Sequence, residues 1–303
     1  MLNLKVINYR KHAALLSTFI IILGIISLIF NGLNLGIDFT GGTNLHYKIG
    51  EPFEVEDVRE ILGEFGLEGS FVQKVGHGGA AEEEKDEVLI KTVSLDEEER
   101  NQIYMAIQER WTEGEAEIIE VENVGGVIGR ELQRDAVLAL IIATLGMIAY
   151  ITIRFEFRFA MSAIAALVHD IIILLTVVSL LQIEINSPFV AAILTIFGYS
   201  INDTIVVFDR IRENLKGMKK EDYFTVVNDS INQTIIRSIN TSVTTLLVLL
   251  ALFFFGGITL RPFIAALLVG VISGTYSSLF IASPLWATWR DWDIRKRKRV
   301  ETA

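Results

Sequence analysis

Residues that could bind and release ions lie inside apolar stretches of this sequence. Asn202 and Asp203 fall near the end of the apolar run Phe189–Phe208, and Arg237 falls near the start of the run Ile231–Phe255. Charged groups inside a bilayer cost several kcal/mol and usually mark a functional site. A carboxyl group that can meet a cation is the arrangement that a proton-coupled protein needs, so these residues are candidates for ion coupling.

The predicted helices place Asp203 and Arg237 at matching depth. At a rise of about 1.5 Å per residue, Asp203 lies roughly 7–8 Å inside the Phe208 end, and Arg237 lies about 9 Å inside the Ile231 end of an antiparallel neighbour. Burial disfavours a charged carboxyl group, whereas a nearby cation favours it. A small change in their separation would therefore decide whether Asp203 holds a proton. A static buried ion pair that fixes helix register is the structural alternative.

Other polar residues extend these two helix faces. Tyr199, Asn202 and Asp203 share one face at i, i+3 and i+4 spacing, and we expect this face to look into the helix bundle. Asn240 and Thr241 continue the polar face of the second helix. They extend the predicted site along both helices.

A further charged pair, His169 and Asp170, lies near the middle of the apolar run Phe159–Leu181. These two residues could belong to a proton path. They could equally form a structural hydrogen bond between spans. The sequence favours neither interpretation over the other.

Membrane-spanning helices must position these residues. Of the 303 residues, 51% are hydrophobic, and the longest apolar runs are nearly free of charge. Each run has about 18–25 residues, the length that a helix needs to cross a hydrocarbon core of about 30 Å. The six runs are Ala13–Phe30, Ala136–Ile153, Phe159–Leu181, Phe189–Phe208, Ile231–Phe255 and Pro262–Trp286. The first run is longer than a usual signal core and lacks a small-residue cleavage site, so we expect a retained signal anchor.

The distribution of charge predicts the orientation in the membrane. Net charge is −10, yet basic residues concentrate in the Arg154–Arg158 loop, in an amphipathic connection at about 209–230 and in the tail 291–303. The positive-inside rule places these segments and the amino terminus in the cytoplasm. The chain is thus predicted to be a multi-pass cell-membrane protein with both termini cytoplasmic. Its predicted parts are residues 1–30, an external domain 31–134, spans within 135–290 and the tail, and we expect the 209–230 connection to lie along the membrane surface.

The external segment has the pattern of a small α+β domain. Strand-like TNLHYKI, SFVQKVG, EVLIKTV and AEIIEVENV are separated by helix-like EVEDVREILGEFG and SLDEEERNQIYMAIQERW. The order β-α-β-β-α-β predicts a ferredoxin-like arrangement. Ser94, with Glu97 three residues on, is the expected N-cap of the second helix. The acidic segment Gly76–Asp86 is expected to be a solvated loop.

Several chemistries are excluded by residue type. Cysteine is absent, which excludes disulfides, cysteine-bound metals and thiol nucleophiles. The acidic loop lacks the calcium-loop pattern, and the glycine-rich GIDFTGGT and VGGVIGR lack a Walker lysine. We therefore expect no enzymatic activity, no metal or other resident cofactor and no nucleic-acid partner.

The motifs together resemble the SecF branch of the SecD/SecF family, which belongs to the RND superfamily. In family order, and over essentially the whole chain, the matching motifs are GIDFTGGT, RFEFRFA, ALVHDI, GYSINDTIVVFDRIREN, RSINTSVTT, FFFGGITLRPF and GTYSSLFIASPL. The resemblance implies a six-span RND-type half with an external domain.

The resemblance also implies partners and a role. It implies pairing with SecD in the lipid membrane, and action on unfolded exported polypeptides together with the SecYEG channel and often YajC. The proton gradient, or sodium in some marine species, would promote late, ATP-independent export steps. By motif matching, Asp203 and Arg237 are the family's intramembrane carboxylate and arginine, and Asp38 lies in its DFTGG motif. The alternatives are half of an RND-type exporter of small molecules or lipids, and a purely structural subunit.

Overall fold

The computed structural model describes residues 5–76, 86–111, 116–217 and 222–301, with the side chains of all of these except 258 and 297–301. Most of the predicted acidic loop, Gly76–Asp86, lies outside the described residues. The helices are α1 (Arg10–Phe30), α2 (Ile37–Thr40), α3 (Val55–Glu64), α4 (Glu97–Arg110), α5 (Gly126–Arg154), α6 (Phe157–Leu181), α7 (Ser187–Leu215), α8 (Tyr223–Phe255), α9 (Arg261–Ser277) and α10 (Ser283–Glu301). The strands are β1 (Gly42–Lys48), β2 (Phe71–Val75), β3 (Glu87–Thr92) and β4 (Glu117–Val124).

The predicted membrane spans are confirmed. Six helical stretches of the described chain are long and apolar enough to cross a membrane. They are Val6–Phe30, Gly126–Arg154, Phe157–Leu181, Ser187–Leu215, Tyr223–Phe255 and Arg261–Lys296. The third, fourth and sixth of these are about half buried within the chain, whereas the second is 6% buried. The buried helices α6, α7 and α9 therefore form the centre of the bundle.

Small residues allow α7 and α9 to approach closely. A Cβ atom added to Gly270 would lie 2.3 Å from the side chain of Ile196, and one added to Gly274 would lie 3.0 Å from Ser200. Close backbone approach through small residues is the usual way in which membrane helices associate. The small residues of the last span thus form a close packing seam with α7.

A π-helical turn, Ser278–Ala282, interrupts the last span between α9 and α10. The Ser283 hydroxyl donates a hydrogen bond to the carbonyl oxygen of Ser278 at 2.8 Å, which satisfies a backbone acceptor inside this turn. The hydropathy pattern predicts one uninterrupted helix here, because it carries no signal for a change in helical pitch. Such π-turns are frequent at functional sites.

The connection between the fourth and fifth spans differs from the expected surface segment. α7 continues to Leu215 and α8 already begins at Tyr223, so most of the expected 209–230 connection is helix continuous with the spans. Ile211 and Val227 on these extensions are fully buried in the same apolar cluster. The amphipathic pattern therefore reflects packing of a helical hairpin, and the expectation of a segment lying along the membrane surface is wrong.

The described residues between 42 and 124 form an antiparallel sheet covered by two helices. The elements follow one another as β1, α3, β2, β3, α4 and β4, and the strands lie in the order β2-β3-β1-β4. Every neighbouring pair is antiparallel. Leu45 and Tyr47 of β1 pack with Ile103 and Ile107 of α4 in one apolar core. The alternating strand patterns and the helical patterns of this segment thus predict its elements correctly.

The N-cap of α4 is Asp96 instead of the expected Ser94. Asp96 accepts a hydrogen bond from the backbone of Glu99, whose side chain accepts in return from the backbone of Asp96. Ser94 donates to the side chain of Asn123 at 3.1 Å instead. Both residues have a glutamate three positions later, so spacing alone does not decide between them.

Candidate functional site

Asp203 lies on the inward face of α7 and is 9% exposed. Its Oδ1 atom accepts a hydrogen bond from the hydroxyl of Ser238 on α8 at 2.5 Å, and its Oδ2 atom accepts one from Ser278 at the start of the π-turn. Within the described part of the chain, no lysine or arginine forms an ion pair with it. The carboxyl group is thus held by hydroxyls contributed by two other membrane helices.

Arg237 does not contact Asp203, so the expected ion pair is wrong for this chain by itself. Arg237 is exposed on α8, and its guanidinium has no hydrogen-bond or ion-pair partner among the described residues. The next residue, Ser238, is 1% exposed and occupies the place beside Asp203. Successive residues on an α-helix point about 100° apart. The predicted depth of Arg237 therefore matches that of Asp203, but depth alone does not show which side of α8 faces Asp203.

Most of the other predicted coupling residues lie on the outside of α7 and α8. The exposed ones are Asn202, Arg237, Asn240 and Thr241, which we call the outer polar stripe. Tyr199 is half-buried, and its hydroxyl donates to Ser242 on α8 at 3.2 Å. The expectation that the polar face of α7 looks into the bundle is therefore right for Tyr199 and Asp203 and wrong for Asn202.

Asp170 on α6 is 1% exposed and forms a second hydroxyl-bound carboxylate. It accepts hydrogen bonds from Ser200 at 2.7 Å, Ser273 at 2.6 Å and Ser277 at 2.7 Å. These serines come from α7 and α9, so Asp170 joins three helices at the centre of the bundle. The Nδ1 atom of His169 lies 3.2 Å from its Oδ1 atom.

His169 connects this carboxylate to α1. Its Nε2 atom lies 2.9 Å from the hydroxyl oxygen of Ser17, and its ring stacks on Tyr276 with centroids 5.9 Å apart. The Tyr276 hydroxyl lies 3.1 Å from that of Ser17 and donates to the carbonyl oxygen of Ala13 at 2.8 Å. The predicted His169–Asp170 pair is therefore part of a continuous polar network across α1, α6 and α9.

The serines that hold both carboxylates are not among the site residues predicted from the sequence. They are Ser200, Ser238, Ser273, Ser277 and Ser278. Small residues such as the two consecutive serines of GTYSSLF are common where membrane helices pack, so their presence alone does not indicate a site. Their hydroxyls also face buried acids. One pattern in the sequence could have indicated these serines: some apolar runs contain serines, and other apolar runs contain a carboxylate that needs hydrogen-bond donors.

Asp38 lies at the junction of the external domain and the bundle, apart from the buried carboxylates. Its Oδ2 atom accepts a hydrogen bond from the backbone amide of Ser187 at 2.6 Å, at the first residue of α7. Helix N-termini carry a partial positive charge, which stabilises a carboxylate there. Asp38 is thus placed to hold the junction together.

Main-chain hydrogen bonds fasten the same junction. The Gly36 amide donates to the Ile185 carbonyl oxygen at 2.8 Å, and the Ile185 amide donates to the Asn34 carbonyl oxygen at 2.8 Å. Lys91 of β3 forms an ion pair with Glu184 in the loop between α6 and α7. The external domain is therefore attached to that loop by backbone and side-chain contacts.

Comparison with known proteins identifies the family. Residues 104–292 match the family described as Protein export membrane protein SecD/SecF, C-terminal, and residues 26–47 match the SecD/SecF GG Motif. A Protein translocase subunit SecF from Sebaldella termitidis is 42% identical, over 94% of this chain and 91% of its own length. The chain belongs to the SecF family. Another SecF relative, from Thermobaculum terrenum, is 38% identical over 98% of both chains.

Solved structures of SecDF share this fold. A crystal structure of SecDF from Thermus thermophilus, described as a translocon-associated membrane protein, matches with a TM-score of 0.83 and 38% identity over 94% of this chain. SecDF in its super-membrane-facing form matches with a TM-score of 0.70 and 36% identity over 100% of this chain. This chain covers only 38% and 40% of those SecDF chains. SecF family membership makes it a multi-pass membrane subunit of protein export.

Proposed function

We propose that this chain couples the movement of an ion across the membrane to a late, ATP-independent step of protein export, as the partner of SecD at the SecYEG channel. The observation that carries the proposal is Asp203, a carboxyl group buried at the centre of the bundle and held only by serine hydroxyls among the described residues. The coupling ion is a proton, with sodium as the alternative. No resident cofactor and no catalytic step are required.

The surroundings of Asp203 accommodate both of its protonation states. A serine hydroxyl can donate to a carboxylate, or it can accept the proton of a carboxylic acid. The Ser278 hydroxyl also lies 3.0 Å from the carbonyl oxygen of Thr275, so it keeps an acceptor when the acid is neutral. An unpaired buried polar group would cost about 1–3 kcal/mol. Asp203 can thus change charge without that penalty.

The outer polar stripe supports a partner subunit inside the membrane. Lipid offers no hydrogen bonds to an arginine or an asparagine, so such groups usually face a protein or a water-filled cavity. Arg237 and Asn240 lie on an exposed face of α8, and neither side chain bonds another described residue. We propose that SecD covers this stripe and that Arg237 acts there. The SecDF chains are more than twice as long as this one, which leaves room for such a second half.

The arrangement of charged residues supports cytoplasmic termini in the cell membrane. Arg158 forms an ion pair with Asp293 of α10, and the Ile7 amide donates to Asn228 of α8 at 3.4 Å. The start of α6 thus lies beside α10, and the amino-terminal turn lies beside α8. Ile7, Tyr223 and Trp286 pack in one apolar cluster at this basic end of the bundle, which the positive-inside rule assigns to the cytoplasm. The opposite end carries the external domain, which we propose is ferredoxin-like and faces the emerging unfolded polypeptide. YajC is a further proposed partner.

The test replaces Asp203 with asparagine, which keeps the shape and a hydrogen-bond acceptor but cannot titrate. The variant is co-expressed with SecD and reconstituted with SecYEG in vesicles that carry an imposed proton gradient. We expect completion of preprotein export after ATP removal to lose its dependence on the gradient, while SecD still co-purifies. Moving one charge through 100 mV releases about 2.3 kcal/mol, and this energy becomes unavailable in the variant. A sodium gradient in parallel vesicles identifies the ion.

Asp209→Asn is the matched control, because Asp209 lies on the same helix but is exposed. We expect it to export like the wild type. A wild-type response to both gradients in Asp203→Asn would contradict the proposal.

A further inference from the structure

Two consecutive serines join the buried carboxylates of α6 and α7. The Ser277 hydroxyl donates to Oδ2 of Asp170 at 2.7 Å, and the Ser278 hydroxyl donates to Oδ2 of Asp203. Neighbouring residues on a helix point about 100° apart. One turn of the last span can therefore bind acids that belong to two different helices. Any rotation of this turn changes the hydrogen bonds of both acids together.

Ser200 provides a second connection between the same two acids. It lies on α7, three residues before Asp203, and its hydroxyl donates to Asp170 at 2.7 Å. The helix that carries Asp203 thus also supplies a hydrogen bond to Asp170. Ser200 packs against Gly274, where an added Cβ would lie 3.0 Å away, so there is little room for it to move independently. A shift of α7 is therefore felt at both carboxyl groups.

Each of the two consecutive serines has an alternative acceptor. The Ser277 hydroxyl lies 3.2 Å from the Gly274 carbonyl oxygen, and the Ser278 hydroxyl lies 3.0 Å from the Thr275 carbonyl oxygen. A hydroxyl has one proton and two acceptor positions. When a carboxyl group takes up a proton, its serine can donate to the backbone and accept from the acid. Asp170 therefore has the same means of changing charge that Asp203 has.

Few other titratable groups of the described chain lie close to the two acids. The titratable groups packed around the pair are His169, which contacts Asp170, Tyr276, which stacks on His169, and Tyr199, one turn from Asp203. Among the described residues, no lysine or arginine forms an ion pair with either acid. The shared serines are therefore the connection between the two acids that the structure offers.

We propose that Asp170 is a second proton-binding group of this subunit, and that Ser277, Ser278 and Ser200 couple its protonation to that of Asp203. The two carboxyl groups then take up and release protons as one unit. This inference rests on the proposed role of Asp203. It adds Asp170 as a second proton-binding group and the serines as the link between the two acids. Ser277 and Ser200 act as positioning residues, whereas Asp170 itself holds the proton.

Infrared spectroscopy of the complex with SecD in lipid vesicles tests the proposal directly. The C=O stretch of a protonated carboxyl group is followed over a pH titration, and Asp170→Asn and Asp203→Asn assign the bands. We expect both groups to titrate. We also expect the Asp203 band midpoint to move by about one pH unit in Asp170→Asn, a tenfold change in proton affinity.

Serine variants keep both carboxyl groups and so separate coupling from loss of the acid. We expect Ser277→Ala to shift the midpoints of both bands. Ser162→Ala is the matched control, since Ser162 is fully buried on α6 and its hydroxyl has no hydrogen-bond partner within the described chain. We expect that control to leave both bands unchanged. If Asp170→Asn does not assemble with SecD, the Ser277→Ala variant alone tests the coupling between the two carboxyl groups.

The outcomes separate this inference from the proposed function. An Asp203 midpoint that is the same in wild type, Asp170→Asn and Ser277→Ala would overturn the coupling. Absence of any titrating Asp170 band would overturn the second proton-binding group. If Asp203→Asn loses gradient-driven export while Asp170→Asn exports normally with an unmoved Asp203 band, only the present inference fails. If Asp203→Asn keeps its response to the gradient, the proposed function fails.

Discussion

An acid held by hydroxyls behaves differently from an acid paired with a cation. A fixed arginine would stabilise the charged form of Asp203, whereas Ser238 and Ser278 can serve either form. The same holds for Asp170 and its three serines. The hydroxyl partners of the two acids can thus bond either protonation state, and Arg237 lies on the outside of the bundle.

A residue-scale prediction concerns Tyr47 in the external domain. Burial raises the pKa of Tyr47 to about 12, with Arg100 opposing this effect and Tyr104 adding to it. A phenol in an unfolded chain titrates near pH 10, so the stability that the buried neutral phenol contributes is complete below about pH 10. It is lost as pH rises from about 10 through 12. We expect Tyr47→Phe to remove this part of the alkaline destabilisation, measured as unfolding of the whole protein against pH.

Tyr9→Phe is the control for this experiment, because Tyr9 is 61% exposed. Ultraviolet absorbance of tyrosinate reports the ionisation itself. Equal alkaline unfolding of Tyr47→Phe and wild type would contradict the prediction.

The sequence located the charged members of the site but not their hydroxyl partners. Asp203, Asp170 and Arg237 stand out because a charge interrupts an apolar run. Ser238 does not stand out, because serine is common where membrane helices pack. Choosing between Arg237 and Ser238 as the neighbour of Asp203 needs the rotation of α8 about its axis. Nearby packing sets that rotation, and hydropathy does not encode it.

At the scale of elements, the seam between α7 and α9 brings the two carboxylates together. We predict that Gly270→Ala destabilises the protein by about 1–3 kcal/mol, because the added Cβ would lie 2.3 Å from a buried Ile196 and the packing must shift. Gly146→Ala on α5 is the matched control, since a Cβ there meets nothing within 4 Å. Both changes favour helix by a similar amount, about 1 kcal/mol. Thermal unfolding in detergent measures the difference, and equal stabilities would argue against a tight seam.

Hydropathy and the alternation of apolar and polar residues predict which helices and strands exist. They do not predict where an element ends or where its geometry is irregular. The start of α4 shows why: Ser94 and Asp96 both satisfy the capping spacing, and tertiary contact decides, since Asn123 engages the Ser94 hydroxyl. The π-turn Ser278–Ala282 has no residue pattern of its own. Its single serine, Ser278, donates a hydrogen bond to Asp203 of α7.

At the scale of the whole molecule, the ion pair between Lys91 and Glu184 secures the external domain to the bundle. Both side chains are about one-fifth exposed, at 21% and 19%. We predict that Lys91→Glu weakens the junction by about 1 kcal/mol, which corresponds to roughly fivefold faster hydrogen exchange of the Gly36 and Ile185 amides. Lys91→Glu combined with Glu184→Lys should restore slow exchange, because the charges again attract.

Lys48→Glu serves as the control for the junction. Lys48 pairs with Asp86 at 3.7 Å at the far end of β1, and its side chain is 48% exposed. We expect the Gly36 and Ile185 amides of the Lys48→Glu variant to exchange at the wild-type rate. Unchanged exchange in Lys91→Glu, or failure of the charge-reversed pair to restore it, would show that the backbone contacts alone hold the domain.

The loop between α6 and α7 has a mechanical consequence. It is the outer end of the two helices that carry Asp170 and Asp203, and through Ile185 it is also hydrogen-bonded to the segment that leads into β1. Asp203 lies sixteen residues along α7 from Ser187, so about 24 Å of continuous helix separates the acid from this loop. A small tilt of this helix at its buried end becomes a larger displacement at its outer tip. The external domain is attached at that tip, so a change in the tilt of α7 would move this domain relative to the part of the bundle that holds the two acids.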